Sequence, residues 1–143
     1  MGYSKMADKF LIDCVGIIRK QGKSVAVEIY EEYKDGLLGL DQFSHVIMCF
    51  WFHKHDSPEQ RNILRVHPRG NKANPLTGVF ATRSPQRPNL FGISTCKILA
   101  IDGNIIYIDQ TDAFNGSPVI DLKPYIATMD SIPNATAPEW VQR

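Results

Sequence analysis

Residues 92–110, GISTCKILAIDGNIIYIDQ, constrain the fold of this chain more than any other stretch. Two apolar runs rich in β-branched side chains flank Asp102-Gly103, and an Asp-Gly pair in that setting is the strongest short-range signal for a β-hairpin. The same grammar recurs along the chain. In VAVEIY, 25–30, Val25, Val27 and Ile29 alternate with Ala26, Glu28 and Tyr30, which predicts a half-buried strand. HVIMCFWF, 45–52, is a solid apolar run that predicts a central strand covered on both faces. Segment 10–19 is apolar and β-branched, LTGVFAT reads as a strand, and Asn115-Gly116 marks a further turn. Helical periodicity is confined to short pieces around 57–65 and in the Pro-punctuated 130–143. Many short strands separated by turns predict an all-β fold, a mainly antiparallel β-barrel with short peripheral helices, in one domain over 1–143.

Hydrophobic residues make up 43% of the 143, enough for a packed core. The longest apolar run, 46–52, is too short to cross a bilayer. No apolar signal core opens the chain, and Met6 breaks the acylation pattern that Met1-Gly2 would begin. Cys14, Cys49 and Cys96 are dispersed without a CxxC, which predicts reduced, buried thiols in a cytoplasmic protein.

Net charge is +1, yet the charges are not mixed. Between Glu59 and Asp102 there is no acid, while Arg61, Arg65, Arg69, Lys72, Arg83, Arg87 and Lys97 all fall there, with His67. Such a strip is the footprint of an anionic partner, or a solvated face balanced in space by Glu28, Glu31, Glu32 and Asp35. Inside it, GVFATRSPQRPNLFGIS sets Arg83 and Arg87 on a proline-stiffened loop with no carboxylate nearby.

Several chemistries are not encoded. There is no GxGxxG after a strand, since Gly36 and Gly39 in DGLLGL are misspaced, and no P-loop or GxSxG elbow. His53-x-His55, even with His67, does not specify a metal site, and none is expected. The long stretch 53–75 is irregular, a class of segment that is usually functional. If 119–125 is extended, Asp121, Lys123 and Tyr125 share a face beside Pro124, which marks an edge or bulge. That face is either one side of a reaction site or an exposed ion pair beside an amphipathic Tyr.

Three blocks carry a family resemblance: GLDQFSHVIMCFWFHKHD, VHPRGNKANPLTGVFATRSPQRPNLFGIS and NGSPVIDLKPYI. Together, ATRSxxRPN and DxKPY resemble the signature of the TrmO (TsaA-like) tRNA methyltransferase family, over about residues 10–142. The resemblance implies a β-barrel homodimer that uses S-adenosylmethionine. Its implied substrate is the exocyclic nitrogen of threonylcarbamoyl-adenosine, the purine 3′ of the anticodon in a tRNA. By motif match, cofactor contacts fall on His53, Lys54, Arg83, Ile93, Asp112, Ala113, Phe114 and Asn115.

The remaining roles are assigned by chemistry within that resemblance. Asp121 and Lys123 are candidates for a base and an electrostatic stabiliser, Tyr125 or Phe91 for stacking the purine. Arg65, Arg69, Lys72 and Arg87 are candidates for tRNA contact, Arg87 also at the reaction centre. The chain departs from the family in three places: no loop separates GIIRKQGKS from VAVEIY, Leu90-Phe91 stands where Pro-Ile is usual, and Asn115 where Asp is usual. The alternatives are a non-catalytic RNA- or small-molecule-binding barrel and methyl transfer to another adenosine derivative.

Overall fold

Strand β1 (Gly16–Gln21) turns through Gly22-Lys23 into β2 (Ser24–Ile29), with Gln21 opposite Ser24. This and all that follows come from a computed structural model describing residues 8–142; Met1, Gly2 and Met6 of the acylation pattern lie outside the described residues. Two 3-10 turns, Glu31–Leu37 and Leu40–Gln42, lead to β3 (His45–Trp51). A 3-10 turn at His53–His55 and a single-turn helix α1 (Pro58–Arg61) follow. Ser57 caps α1, its Oγ accepting from the amide of Gln60 at 3.2 Å, and Pro58 presets the first turn. Short β4 (Arg65–Val66) and β5 (Thr77–Gly78) pair as a separate ribbon. Then come β6 (Phe91–Asp102), β7 (Ile105–Ile108), β8 (Pro118–Pro124) and the helical turn α2 (Ala127–Asp130).

Six strands close a barrel in the order β1-β2-β7-β6-β3-β8, every pairing antiparallel. Closure removes exposed sheet edges, and it is made by the short contact of Gly16 with Val119 and Ile17 with Pro118. Side chains alternate across each strand, so Ile18, Val27, Val46, Met48, Cys96, Ile106 and Val119 all point inward and are fully buried. Burying each of the larger ones contributes about 1.5–3 kcal/mol.

Several expectations are corrected in detail. The hairpin is present, but Asp102 pairs with Ile105, so the turn residues are Gly103-Asn104 rather than Asp102-Gly103. Gly103, at φ +62°, takes the left-handed position that a two-residue turn requires at its first residue. Strand β3 is central, paired with β6 and β8, but only Val46, Met48 and Phe50 are buried, because its other face forms the outer wall. Of 10–19, only the part from Gly16 is strand; Phe10, Leu11 and Ile12 have no pairing partner and are exposed. LTGVFAT yields only two strand residues before a 3-10 turn at Val79–Ala81. Cys96 is buried and Cys49 partly so, whereas Cys14 precedes β1 and is exposed. Ile120 is an extra residue opposite the step from Cys49 to Phe50, a bulge four residues before Pro124; Pro124 itself pairs in register with Val46, beyond the stretch of β8 that pairs with β1.

Candidate functional site

Two cavities adjoin at one end of the barrel. The first, of about 530 Å³, opens between the start of β6, the 80–87 loop and segment 112–117. Its floor is aromatic: Phe50 and Phe52 meet edge-on, with centroids 5.3 Å apart. That packing depends on Gly92, where a Cβ would sit 2.6 Å from Phe50 Cζ and 2.7 Å from Phe52 Cζ. Phe91, Ile93 and Phe114 contribute half-exposed apolar surface to the walls. Thr111 holds segment 111–115 in place: its Oγ1 shares a hydrogen bond with Ser94 Oγ at 2.8 Å, and its carbonyl accepts from Lys20 Nζ at 2.7 Å. The polar groups at this cavity are few. Asp112 is an exposed carboxylate that makes no ion pair among the described residues, and Arg83 a guanidinium that makes neither ion pair nor hydrogen bond there. His53 Nδ1 and His55 Nδ1 are buried beside the cavity without a partner, hydrogen-bonding capacity that the described residues do not use.

The loop that presents Arg83 is internally tied. Thr82 Oγ1 donates to Val79 O at 2.8 Å and accepts from the amide of Ser84, and Ser84 Oγ accepts from the amide of Gln86, both at 3.1 Å. These are the hydroxyl turns that Ser and Thr favour. Arg87 reaches back over them, its Nη1 donating to Thr82 O at 3.2 Å and Ser84 O at 3.0 Å. Arg61 anchors the far end, donating from Nε to Pro88 O at 2.9 Å while pairing with Asp56 at 3.3 Å. So the two loop arginines differ: Arg87 holds the loop, and Arg83 is what the loop holds out.

The second cavity is a cleft of about 1110 Å³, bordered by Arg65, Arg69, Lys72 and Arg83 with no carboxylate among the described residues that line it. The two cavities share His55, Phe80, Thr82, Arg83 and Pro85 as a common wall. The 67–74 loop on its rim is stitched by Asn74, which is buried and donates from Nδ2 to Pro68 O at 3.0 Å; the Asn74 carbonyl meets His67 Nδ1 at 2.9 Å. Arg69 sits there at φ +60°, ψ +22°, the one left-handed non-glycine residue among those described. Such a conformation costs about 1 kcal/mol or more and is held by the loop around it.

Of the candidate residues, His53, Arg83, Ile93, Asp112, Ala113 and Phe114 converge on the first cavity, with Arg87. Lys54 lies at its rim, Nζ 4.6 Å from the Phe114 ring centroid. Asn115 does not line it, because its Oδ1 accepts from the amide of Lys20 at 2.7 Å. Asp121, Lys123 and Tyr125 border neither cavity. They lie on the outer wall, where Asp121 pairs with Lys123 at 3.2 Å, both half-exposed or more, and Tyr125 meets the ring of His45. The acids proposed to balance the basic strip are elsewhere: Glu28 pairs with Arg19 and Glu31 with Lys34, and no glutamate lines either cavity. No group of three His, Cys, Asp or Glu suited to a metal occurs among the described residues. No helix among them is long and apolar enough to cross a membrane.

Sequence reasoning missed Phe80, which is 81% exposed on the shared wall, and Trp140, which lines the cleft from the C-terminal segment. Phe80 carried a misleading local signal, since LTGVFAT reads as a strand interior. Trp140 carried none.

Comparison with known proteins agrees with this geometry. The family model described as tRNA-methyltransferase O N-terminal domain matches residues 16–131. A probable S-adenosyl-L-methionine-binding protein of Pyrococcus horikoshii is 53% identical over 81% of this chain and 82% of its own. A tRNA (adenine(37)-N6)-methyltransferase of Homo sapiens is 43% identical over 77% of this chain, which spans only 24% of that protein. A crystal structure of TrmO from Pseudomonas aeruginosa superposes with a TM-score of 0.73 at 25% identity, over 96% of this chain and 64% of that one. With the family match running through the barrel and both of its cavities, this chain belongs to the tRNA-methyltransferase O family of S-adenosylmethionine-dependent tRNA adenine N6-methyltransferases.

Proposed function

We propose that this chain transfers a methyl group from S-adenosylmethionine to the exocyclic nitrogen of threonylcarbamoyl-adenosine beside the anticodon, working as a cytoplasmic homodimer. The observation that carries the reading is the shared wall. An aromatic cavity with one acid and one unpaired guanidinium opens directly onto a basic cleft with no acid among the described residues that line it.

The first cavity suits the cofactor. Its 530 Å³ falls in the range of about 300–1,000 Å³ of small-ligand sites. Bound there, the sulfonium supplies an electrophilic methyl group. Arg83 offers two parallel N–H donors to a carboxylate, and Asp112 an acceptor to an ammonium or a ribose diol. Phe52, Phe91 and Phe114 offer ring faces to a cation or a purine. The chain's own part in the transfer is to fix the reactants in line and keep water out. Arg87 serves as a positioning residue, since its donors on Thr82 O and Ser84 O set the loop that carries Arg83.

The cleft suits RNA. Arg65 and Lys72 face it with no carboxylate among the described lining residues, as a phosphate backbone requires. Asp121, Lys123 and Tyr125 reach an acceptor in this scheme only from a second copy of the chain, whose outer β3–β6–β8 wall, with Ile93 half-exposed, would adjoin the first cavity. Binding without transfer is the second reading. It is favoured by the Gly22-Lys23 turn, which leaves no loop after β1 to add to the site.

Calorimetry with S-adenosylmethionine, alongside nucleoside mass spectrometry of tRNA carrying threonylcarbamoyl-adenosine, tests the proposal. The wild type should bind the cofactor and add one methyl group to that nucleoside. Arg83→Ala should bind about ten- to hundredfold more weakly, as loss of a charge-assisted hydrogen bond does. Absence of cofactor heat sinks the proposal; binding without any methylated nucleoside selects the second reading.

A further inference from the structure

The basic cleft is not only basic. Phe80 stands on the wall it shares with the first cavity, and Trp140 with Val141 borders it from the C-terminal segment. Phe80 is held out rather than loose. Val79 beside it is buried and donates its amide to Leu64 O at 2.9 Å, and Thr82 closes the turn with both its amide and its hydroxyl on Val79 O. An aromatic ring 81% exposed on so pinned a turn is apolar surface kept ready for a ligand. Trp140 sits on the final 3-10 turn, Glu139–Gln142, beyond the residues that the family model matches. The chain leading to it, 131–139, is exposed throughout, yet Trp140 and Val141 are partly buried against the cleft. Pro133 and Pro138 stiffen that approach, and the amide of Val141 donates to Pro138 O at 3.1 Å.

Cations without acids recognise phosphate, and aromatic rings interleaved with them recognise bases that are not stacked in a duplex. A duplex would offer this cleft phosphates but no base faces. From this juxtaposition we infer that Phe80 and Trp140 form a stacking site for unpaired nucleobases, so that the cleft selects looped over paired RNA, with the C-terminal segment supplying one of the two rings. The inference rests on the RNA-binding reading of the cleft and adds to it the residues that distinguish single-stranded substrate.

The test uses the full chain and two RNA probes with equal numbers of phosphates, a hairpin with an unpaired loop and a blunt duplex. Phe80→Ala and Trp140→Ala should each weaken hairpin binding about five- to hundredfold. Both should leave duplex affinity and the salt dependence of binding unchanged, because no phosphate contact is lost. Trp140→Phe should recover most of the lost affinity. Arg65→Ala should instead lower the slope of log affinity against log salt by about one unit on both probes. Melting curves on both variants check that the barrel is intact, and cofactor calorimetry on Trp140→Ala, at a residue outside the first cavity, checks that cavity. Hairpin binding by the wild type that is indifferent to both alanine variants overturns this inference and leaves the RNA reading standing. Tighter hairpin binding by Trp140→Ala also overturns it, making the C-terminal segment an occluding element. A wild type that binds neither probe overturns both.

Discussion

Replacing Gly92 by alanine tests whether the aromatic floor of the first cavity is as tightly set as its geometry says. The new Cβ would lie 2.6 Å from Phe50 Cζ and 2.7 Å from Phe52 Cζ, about 0.8 Å short of ordinary contact. Both rings, or the β6 backbone beneath them, have to give. Phe50 is 2% exposed and sits among the barrel core, so it has no free space to enter. Phe52 is only partly buried and can move within the cavity it lines, while the clash with Phe50 is relieved only by strain in the core or the β6 backbone. Overpacking of this kind costs about 1–3 kcal/mol. At roughly 4 °C per kcal/mol for a chain of this size, Tm should fall by about 4–12 °C. Cofactor affinity should fall tenfold or more, since the shifted ring alters the binding surface. Gly103→Ala is the control: at φ +62° it strains a turn and costs about 1–2 kcal/mol, but it does not line the first cavity and should leave cofactor affinity unchanged. Differential scanning calorimetry gives the first quantity and titration calorimetry the second. A Gly92→Ala protein that melts within about 1 °C of wild type and binds cofactor equally well refutes the reasoning.

Three further outcomes are expected. Asp121→Asn and Lys123→Met should cut single-turnover methyl transfer about a hundredfold with cofactor affinity nearly unchanged if a partner copy brings them to the acceptor; near-wild-type turnover would leave them an exposed ion pair worth about 0–1 kcal/mol. Burial pushes the Cys96 thiol up to about 11, with Asp109 and Asp112 adding to the shift. In the native protein at pH 8, alkylation followed by peptide mapping should therefore modify the exposed Cys14 and spare Cys96, whereas equal rates would contradict the packing. Slight burial of Asp109 pulls its carboxyl upward, but amide donors, those of Lys97 at 2.9 Å and Gln110 at 2.8 Å foremost, outweigh it and hold it below the ordinary value. A lowered folded value stabilises above the unfolded value near 4 and is lost as pH falls below it, so the Tm advantage of wild type over Asp109→Asn should shrink between about pH 5 and pH 3.

What the sequence made legible was local, and what it hid was long-range. The 92–110 hairpin could be read because its turn residue and both its apolar runs lie side by side. Even there the turn moved by one residue, since register depends on which partners reach across. The barrel's closing contact joins Gly16 to Val119, and nothing near either residue announces it. Segment 10–12 shows the converse: Phe10, Leu11 and Ile12 have strand-forming side chains, but no strand lies beside them in this chain. Alternation correctly placed Asp121 and Lys123 on one face. It could not say which face, because period two is silent about inside and outside; pairing with Cys49 and Ile47 on the outer wall of β3 decides that. The cavity residues were legible where a motif carried them. Phe80 was not, because a 3-10 turn in place of a strand turns it out to the cleft.

The two arginines of the 80–87 loop show why a site of this kind needs a second charge that holds the loop together. A flexible loop carrying Arg83 alone would lose conformational entropy each time it bound an anion. Prolines remove part of that freedom, but Pro85 and Pro88 also remove amide donors that would otherwise tie the loop together. Side chains have to replace those ties. Thr82 and Ser84 supply two, and Arg87 spans them by donating to two carbonyls from one nitrogen. A carboxylate could not do this, because it can only accept, and a carboxylate beside Arg83 would compete with any anionic ligand. The absence of acids from Glu59 to Asp102 is thus required twice over, by the scaffold that holds the loop and by the cleft it faces. Arg83 is left on a backbone set before any ligand arrives, so that less freedom remains to be lost when its guanidinium meets an anion.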